Sequence, residues 1–290
     1  NILITSISKK ISMIKLVKKA NRKLGNKGKI YGADINNKSI GKYFVDKFWT
    51  IPSYDKLSIN EIISYCIKNN IKCIIPSSDG ELNYYAKYKN EFLKNDIHIM
   101  ISNLSNLTVC LDKLKFYNKL KKLNFPVIKT ASNIDEINQS FYVVKERFSS
   151  FGIQSKGIKL RKDEAINYSK NLKNPIFQPF VNGKELSIDL YIDKSKKTKG
   201  CVVRTRELID NGESQITKSL ENKKLEKMCS NIIEKLNLYG HIVIQVIIDS
   251  QNNFNILESN CRFGGASSLS LEVGLDSFYW FLLESSGEKL

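Results

Sequence analysis

Glu258 and Asn260 stand two residues apart in the stretch Asn255-Ile256-Leu257-Glu258-Ser259-Asn260-Cys261-Arg262-Phe263-Gly264-Gly265. In a β-strand the period of two puts both side chains on one face, and Arg262 continues that face as far as the strand lasts. Just upstream, Ile242-Val243-Ile244-Gln245-Val246-Ile247-Ile248-Asp249 is a second strand signal, and Ser250-Gln251-Asn252-Asn253 between them reads as a hairpin turn. Gln245 can then project beside Glu258 and Asn260. Hard oxygen donors and a cation next to a Gly-Gly turn suit Mg²⁺ and a polyphosphate. The same residue types also suit an ordinary exposed sheet face, so this stretch alone leaves the two readings level. Asp249 is a fallback metal ligand, although it falls close to the turn.

Other segments add chemistry of the same kind. Phe141-Tyr142-Val143-Val144-Lys145-Glu146-Arg147 is a strand delivering two cations, followed by Phe148-Ser149-Ser150-Phe151-Gly152. Small residues let backbone N–H groups approach phosphate oxygens while the cations offset their charge. Pro175-Ile176-Phe177-Gln178-Pro179-Phe180-Val181-Asn182-Gly183-Lys184-Glu185 reads as strand, non-helical connection and second strand. Phe180 and Val181 keep their N–H groups and can face a flat ligand edge, and Glu185 could reach a ribose. Taken by itself, the segment is better read as a plain hairpin with Gly183 at its turn. Cys201-Val202-Val203-Arg204-Thr205-Arg206 alternates, which places both arginines on one strand face.

The elements that must position these residues begin with an alternation of strand and helix over residues 1–107. Strands at 2–5, 29–33 and 71–75 are separated by segments with apolar residues at helical spacing, such as Ile59, Ile62, Ile63, Cys66 and Ile67. That order argues for an α/β unit with a parallel sheet covered by helices. The first turn, Ser6-Ile7-Ser8-Lys9-Lys10, has no glycine, so the dinucleotide fingerprint is absent. Asp34 at a strand end could touch a ribose or cap the next turn. Ser77-Ser78-Asp79-Gly80-Glu81 reads as a helix N-cap with acidic residues in the first turn, Asp79 or Glu81 being candidates for a pocket. Helices are expected at 108–127, carrying Asp112-Lys113, at 162–172 and at 221–238.

Composition narrows the classes. The 290 residues suffice for about two domains, and 42% hydrophobic residues supply a core. No apolar run approaches the ~20 residues of a membrane span, and the start lacks the long apolar core of a signal peptide. The net charge of +17 invites a nucleic-acid reading. Yet six of the 46 basic residues are Arg, leaving 40 Lys spread through every segment, which speaks for a compositional bias and against a nucleic-acid patch. Where Lys is the default cation, a retained Arg suggests bidentate recognition of phosphate or carboxylate. The six Cys form no CxxC pair and only two His exist, so a zinc site of ordinary spacing is not expected. Scattered thiols without an export signal fit the reducing cytoplasm.

Taken in order, these pieces resemble the ATP-grasp superfamily, in particular the ATP-binding part of the carbamoyl phosphate synthetase large subunit and its stand-alone carboxylate–amine ligase relatives. The resemblance rests on Pro76-Ser77-Ser78-Asp79-Gly80-Glu81-Leu82, Cys110-Leu111-Asp112-Lys113, Val143-Val144-Lys145-Glu146-Arg147, Gln178 to Glu185, and Gln245, Glu258, Asn260 and Arg262. It implies an α/β (α+β ATP-grasp) architecture, with a parallel-sheet pre-ATP-grasp domain at 1–107 and an ATP-grasp domain at 108–290. The latter would have a mobile lid at about 122–178 and a metal-binding sheet at about 179–290.

It also implies roles. Lys113 and Lys145 would reach the ATP phosphates under a loop containing Ser150 and Gly152. Gln178, Phe180 and Val181 would meet adenine, and Glu185 the ribose. Gln245, Glu258 and Asn260 would hold Mg²⁺ (Mn²⁺ as an alternative), and Arg262 would meet the transferring phosphoryl group. Arg204 and Arg206 are then the candidates for the substrate carboxylate. The implied reaction is ATP-dependent activation of a carboxylate as an acyl phosphate and its transfer to an amine, by a cytoplasmic chain with small-molecule partners and a homodimer as an allowed assembly. Gln178 departs from the pattern where an acidic residue is frequent, and the 149–152 loop is poorer in Gly than usual. The rival classes are a nucleotide-binding regulatory domain without turnover and a basic nucleic-acid-binding protein on an α/β scaffold.

Overall fold

The computed structural model describes residues 1–25, 28–148, 156–210 and 213–290. Its N-terminal part is built on strands β1 (Ile2–Thr5), β2 (Ile30–Asp34), β3 (Lys47–Thr50), β4 (Cys73–Ile75) and β5 (His98–Ile99). They form an all-parallel sheet in the order β3-β2-β1-β4-β5, with helices α1 (Ile11–Lys23), α2 (Ile59–Lys68), α3 (Asp79–Lys87) and α4 (Lys89–Lys94) in the connections. Strands β1, β2 and β4 are buried at every position. This is why they read as short continuous apolar runs and not as alternations. Strand order reverses direction between β1 and β4, and the loops at their carboxyl ends carry Ser6 to Lys10 and Ser77 to Asp79, the place where open α/β sheets make ligand crevices.

The expected helix at 108–127 is two helices, α5 (Leu104–Leu111) and α6 (Lys113–Lys122). Asp112 breaks the run because its backbone is extended (φ −106°, ψ 103°) and its carboxylate caps α6 by accepting from Leu114 N and Lys115 N. Next comes a small sheet, β7-β6-β8, built from β6 (Tyr142–Glu146), β7 (Lys156–Leu160) and β8 (Pro175–Pro179), with α7 (Lys162–Ser169) packed on it.

The second large sheet is antiparallel and ordered β13-β10-β9-β14-β15. Its members are β9 (Gly183–Ile192), β10 (Thr198–Thr205), β13 (Ser219–Leu220), β14 (Gly240–Asp249) and β15 (Phe254–Asn260), with a separate two-stranded ribbon of β11 (Leu208–Asp210) and β12 (Glu213–Ile216). Helix α8 (Lys223–Lys235) covers one side; α9 (Ser268–Glu272) and α10 (Ser277–Ser285) follow β15. The hairpin expected around residues 250–253 is the β14–β15 turn, and Asp249 closes it by accepting from Gln251 N and Asn253 N. One buried apolar set runs from Leu3 and Ile74 of the parallel sheet to Ile188 and Ile244 of the antiparallel one.

Gly183 opens β9 opposite Asp249. A Cβ there would overlap the Ile248 carbonyl oxygen and lie 2.6 Å from Ile247 Cγ2, so backbone would have to move. Gly183→Ala is expected to cost ~1–3 kcal/mol, the usual penalty for overpacking. A lowered urea midpoint with an unchanged m-value is the outcome to look for; an unchanged midpoint would show that the strand end yields freely.

Candidate active site

One row of register partners crosses four strands: Arg204 on β10 faces Ser187 on β9, Ser187 faces Gln245 on β14, and Gln245 faces Glu258 on β15. Strand periodicity adds Glu185, Arg206 and Asn260 to the same face. A register shift beyond the Gln245–Glu258 pair brings Val246 opposite Ile256 and leaves Leu257 as an extra residue. Bulges re-aim side chains, and Leu257 and Glu258, neighbours in sequence, both line the same cavity.

That cavity, of about 420 Å³, lies between the small sheet and the large antiparallel one. All twelve candidate residues that the structure describes line it: Lys113, Lys145, Gln178, Phe180, Val181, Glu185, Arg204, Arg206, Gln245, Glu258, Asn260 and Arg262. Ser150 and Gly152 lie outside the described residues. At one end the wall is apolar, with Ile128, Val143, Phe148, Ile158 and Ile247, as a flat aromatic base requires. Gln178 donates from Nε2 to Thr130 Oγ1 (2.8 Å), which leaves its Oε1 to accept from a ligand N–H. The Phe180 N–H, expected to face the ligand, instead donates to Phe141 O (2.9 Å), because the β6–β8 pairing continues one residue beyond Pro179. Phe180 therefore contributes its ring to the cavity wall.

Cations and carboxylates alternate along the remaining wall. Lys145 Nζ stands 3.8 Å from Glu258 Oε2, tying the small sheet to the large one. Burial lowers the Lys145 ammonium to about 8, with Glu258 opposing the shift and Lys113 and Lys156 adding to it. For Glu258 burial pushes upward, but the field of Lys145 and then Lys113 outweighs it and holds the carboxyl down at about 2. The Gln245 amide, oriented by its hydrogen bonds, donates to Glu258 Oε1 (2.8 Å) and accepts from Arg206 Nη1 (2.5 Å). Asn260 Nδ2 lies 3.5 Å from Glu258 Oε1. Lys113 occupies the first turn of α6 and its backbone N–H donates to Arg147 O (3.0 Å). Arg147 in turn grips Asp112 through Nε (2.8 Å) and Nη2 (2.7 Å), a bidentate clamp between α6 and the end of β6.

The two β10 arginines part company. Residues two apart on a strand stand ~7 Å from each other, and Arg206 lies beside Glu185 and Gln245, whereas Arg204 turns inward to Asp189. Arg206 therefore sits at the expected ribose and metal residues and not as a second grip alongside Arg204. Arg262 falls beyond the end of β15, and its Nη2 donates to Asp79 Oδ2 (2.6 Å) in the first turn of α3. Asp79 lines the cavity. Glu81 does not: its fully buried carboxylate caps α3, accepting from Ser77 N and Ser78 N, from Ser6 Oγ and from Tyr54 OH. Asp34 accepts from Ser8 N and Asn36 N and so serves its own turn.

Sequence reasoning missed Asp189 and His241. Asp189 is fully buried, and it accepts from Arg204 Nε, Ser270 Oγ (2.8 Å), Ser267 Oγ and His241 Nε2 (3.1 Å). The available signal was a carboxylate inside Leu186-Ser187-Ile188-Asp189-Leu190-Tyr191, where only a satisfied polar group can be buried.

The donors suit Mg²⁺ that arrives with a nucleotide. Glu258 is kept ionised, and Gln245 and Asn260, whose NH2 groups here point at Glu258, would turn their carboxamide oxygens to a cation that took the place of those contacts. Among the described residues no group of three or more His, Cys, Asp or Glu could hold a metal ion alone. One carboxylate with neutral oxygens is the usual protein share when phosphates supply the rest.

A parallel sheet, a small three-stranded sheet and a large antiparallel sheet closing on a cation-lined cavity define the ATP-grasp class of protein. Residues 171–290 match the family described as ATP-grasp in the biosynthetic pathway with Ter operon, and residues 2–100 match the PylC-like, N-terminal domain. The chain has the ATP-grasp fold, and its residues 171–290 match an ATP-grasp family model. Its structure superimposes over its whole length on the biotin carboxylase domain of Hydrogenobacter thermophilus 2-oxoglutarate carboxylase, described in complex with MgADP, ADP and bicarbonate. The TM-score is 0.78 at 13% identity, over 70% of that chain. N5-carboxyaminoimidazole synthetase from Staphylococcus aureus, complexed with ADP, matches with a TM-score of 0.74 at 16% identity, 100% of this chain and 77% of that one. N5-carboxyaminoimidazole ribonucleotide synthetase from Thermotoga maritima gives 0.69 at 17% identity, with 100% of this chain and 76% of that one covered. No curated protein matches the chain. No helix among the described residues is long and apolar enough to cross a membrane.

Proposed function

We propose that this protein is an ATP-dependent ligase that activates a carboxylate as an acyl phosphate and joins it to an amine. The observation that carries the reading is the convergence of all twelve described candidate residues, drawn from α6, both sheets and the connectors, on one cavity. The adenine would lie against the apolar end, where the free Gln178 oxygen and the Val181 N–H meet its edge. Glu185 and Arg206 stand where the ribose would follow. Lys113 and Lys145 would neutralise the phosphates, and Arg262 would face the phosphoryl group in transfer. Charge grows on that group in the transition state, and donors already fixed in place stabilise it without reorganisation. Mg²⁺, which Glu258 would hold with Asn260 and Gln245, would supply further neutralisation of the phosphate charge. Arg204 would meet the substrate carboxylate, whose oxygen attacks the γ-phosphorus as ADP leaves; the amine then attacks the acyl carbon and phosphate departs. Closure of the small sheet would exclude water from the acyl phosphate. Structural neighbours described with MgADP and bicarbonate, and with ADP, support the reading.

The test is a screen of ADP release over amino acids, bicarbonate and small carboxylates, each paired with a panel of amines. One acid–amine pair is expected to stimulate Mg²⁺-dependent ADP release well above the background. A melting temperature raised by ATP without ADP formation from any pair would favour a regulatory nucleotide-binding domain. Steeply salt-dependent nucleic-acid binding without nucleotide protection would favour the basic binding protein.

A further inference from the structure

Arg204 is 3% exposed and Asp189 fully buried, yet Arg204 lines the cavity. Its Nε is taken by Asp189 Oδ2 and its Nη2 reaches Ser267 Oγ at 3.5 Å, while Nη1 has no protein partner among the described residues. A guanidinium carries five N–H donors, so at least the Nη1 pair is presented to the cavity in a fixed direction. Asp189 is itself over-determined. Four donors from β10, β14 and the segment after Gly265 converge on its two oxygens. His241 bridges the cluster to α10, with Nε2 3.1 Å from Asp189 Oδ1 and Nδ1 2.8 Å from Ser277 Oγ. The buried pair of Arg204 and Asp189 is thus a neutral unit with directed donors.

We propose that Asp189 is a specificity-determining residue. By fixing Arg204 through Nε and cancelling its charge, it makes the cavity floor a receptor for a monoanionic carboxylate in preference to a dianionic phosphate. The inference rests on the carboxylate-activating reading of this cavity and adds to it a reason why phosphate does not occupy the acceptor position. Coulomb energy scales with the product of charges. A bare buried guanidinium would attract a dianion about twice as strongly as a monoanion; pairing with Asp189 weakens the field at that point and so shrinks the dianion's advantage, leaving hydrogen-bond geometry and the steeper cost of desolvating a dianion to decide.

The experiment uses the full chain loaded with Mg²⁺ and the β,γ-methylene analogue of ATP, so that the phosphate-binding residues are filled. Acetate and inorganic phosphate are titrated at pH 8 and constant ionic strength, with thermal protection as the readout. The wild type should be half-protected at a lower concentration of acetate than of phosphate, and Arg204→Gln should respond to neither. In Asp189→Asn the ratio of the two half-protecting concentrations should move at least about tenfold toward phosphate. A ratio is insensitive to a uniform loss of stability, so a lowered melting temperature with an unchanged ratio would overturn the proposal and leave Asp189 a structural residue. A wild type that prefers phosphate, or shows no acetate response, overturns the receptor whether or not Asp189→Asn folds. An intact acetate preference without ADP release from any acid–amine pair would sink the ligase reading alone.

Discussion

Glu258→Gln is expected to abolish Mg²⁺-dependent ADP release, lowering kcat by at least ~100-fold. The substitution keeps the size of the side chain and a partner for Gln245, so the sheet should survive it. Its charge is what disappears, with two consequences. The only carboxylate among Glu258, Asn260 and Gln245 is lost, leaving carboxamides that hold Mg²⁺ weakly. Lys145, whose ammonium Glu258 helps to keep protonated against burial, also loses that support. Metal-free ADP should still bind, since Glu258 repels phosphate when no cation stands between them. The check is steady-state ADP release across a Mg²⁺ titration, beside ADP binding measured in a chelator. Turnover within a few-fold of wild type would remove Glu258 from the metal assignment.

Lys145→Met should weaken ATP capture by roughly 100-fold in kcat/KM, as expected when a buried cation facing phosphate is removed. The pH profile gives a sharper signature. The phosphates need the protonated amine, and in the free protein burial brings that amine to about 8. The sign is therefore a loss on the alkaline side: kcat/KM for ATP should be level below pH 7 and fall tenfold per unit above about pH 8. Bound phosphate favours the ammonium, so kcat should hold to higher pH than kcat/KM, which reports the free enzyme. Lys145→Arg, charged throughout, should remove the alkaline fall even if its activity is reduced. A wild-type kcat/KM that stays level to pH 9.5 would contradict the placement of Lys145 against the phosphates.

Much of the candidate site was legible because it obeys local rules. Glu258, Asn260 and Gln245 share a face since strand parity is a property of each segment, and the residue 250–253 turn announces the hairpin that pairs them. What stayed hidden depends on registers between segments far apart in sequence. No pattern within Leu186 to Tyr191 says that Asp189 will lie against Arg204 and His241, because strand alignment is fixed by the whole sheet. The same holds for Arg262 and Asp79, which are 183 residues apart. The break at Asp112 was legible in principle, as an N-cap residue before a cationic run, but continuous helical periodicity on both sides masked it. The separation of Arg206 from Arg204 was hidden for a related reason: alternation gives the face and says nothing of which compartment along that face a residue enters.

The row from Arg204 through Ser187 and Gln245 to Glu258 has a bearing on synthesis of the chain. Strands β9 and β10 pair as neighbours in sequence, but their half of the row stays open until β14, some fifty residues after β9, comes to lie along β9. A chain emerging from the ribosome folds from its N-terminus onward, so the parallel sheet can form while the antiparallel one still exposes a long unpaired edge at β9. Nucleotide cannot stabilise that intermediate, because Gln245, Glu258 and Arg262 have yet to emerge. The vulnerable interval for aggregation is thus set by translation of residues 193–262, and a slow stretch of codons there should be felt more than one elsewhere.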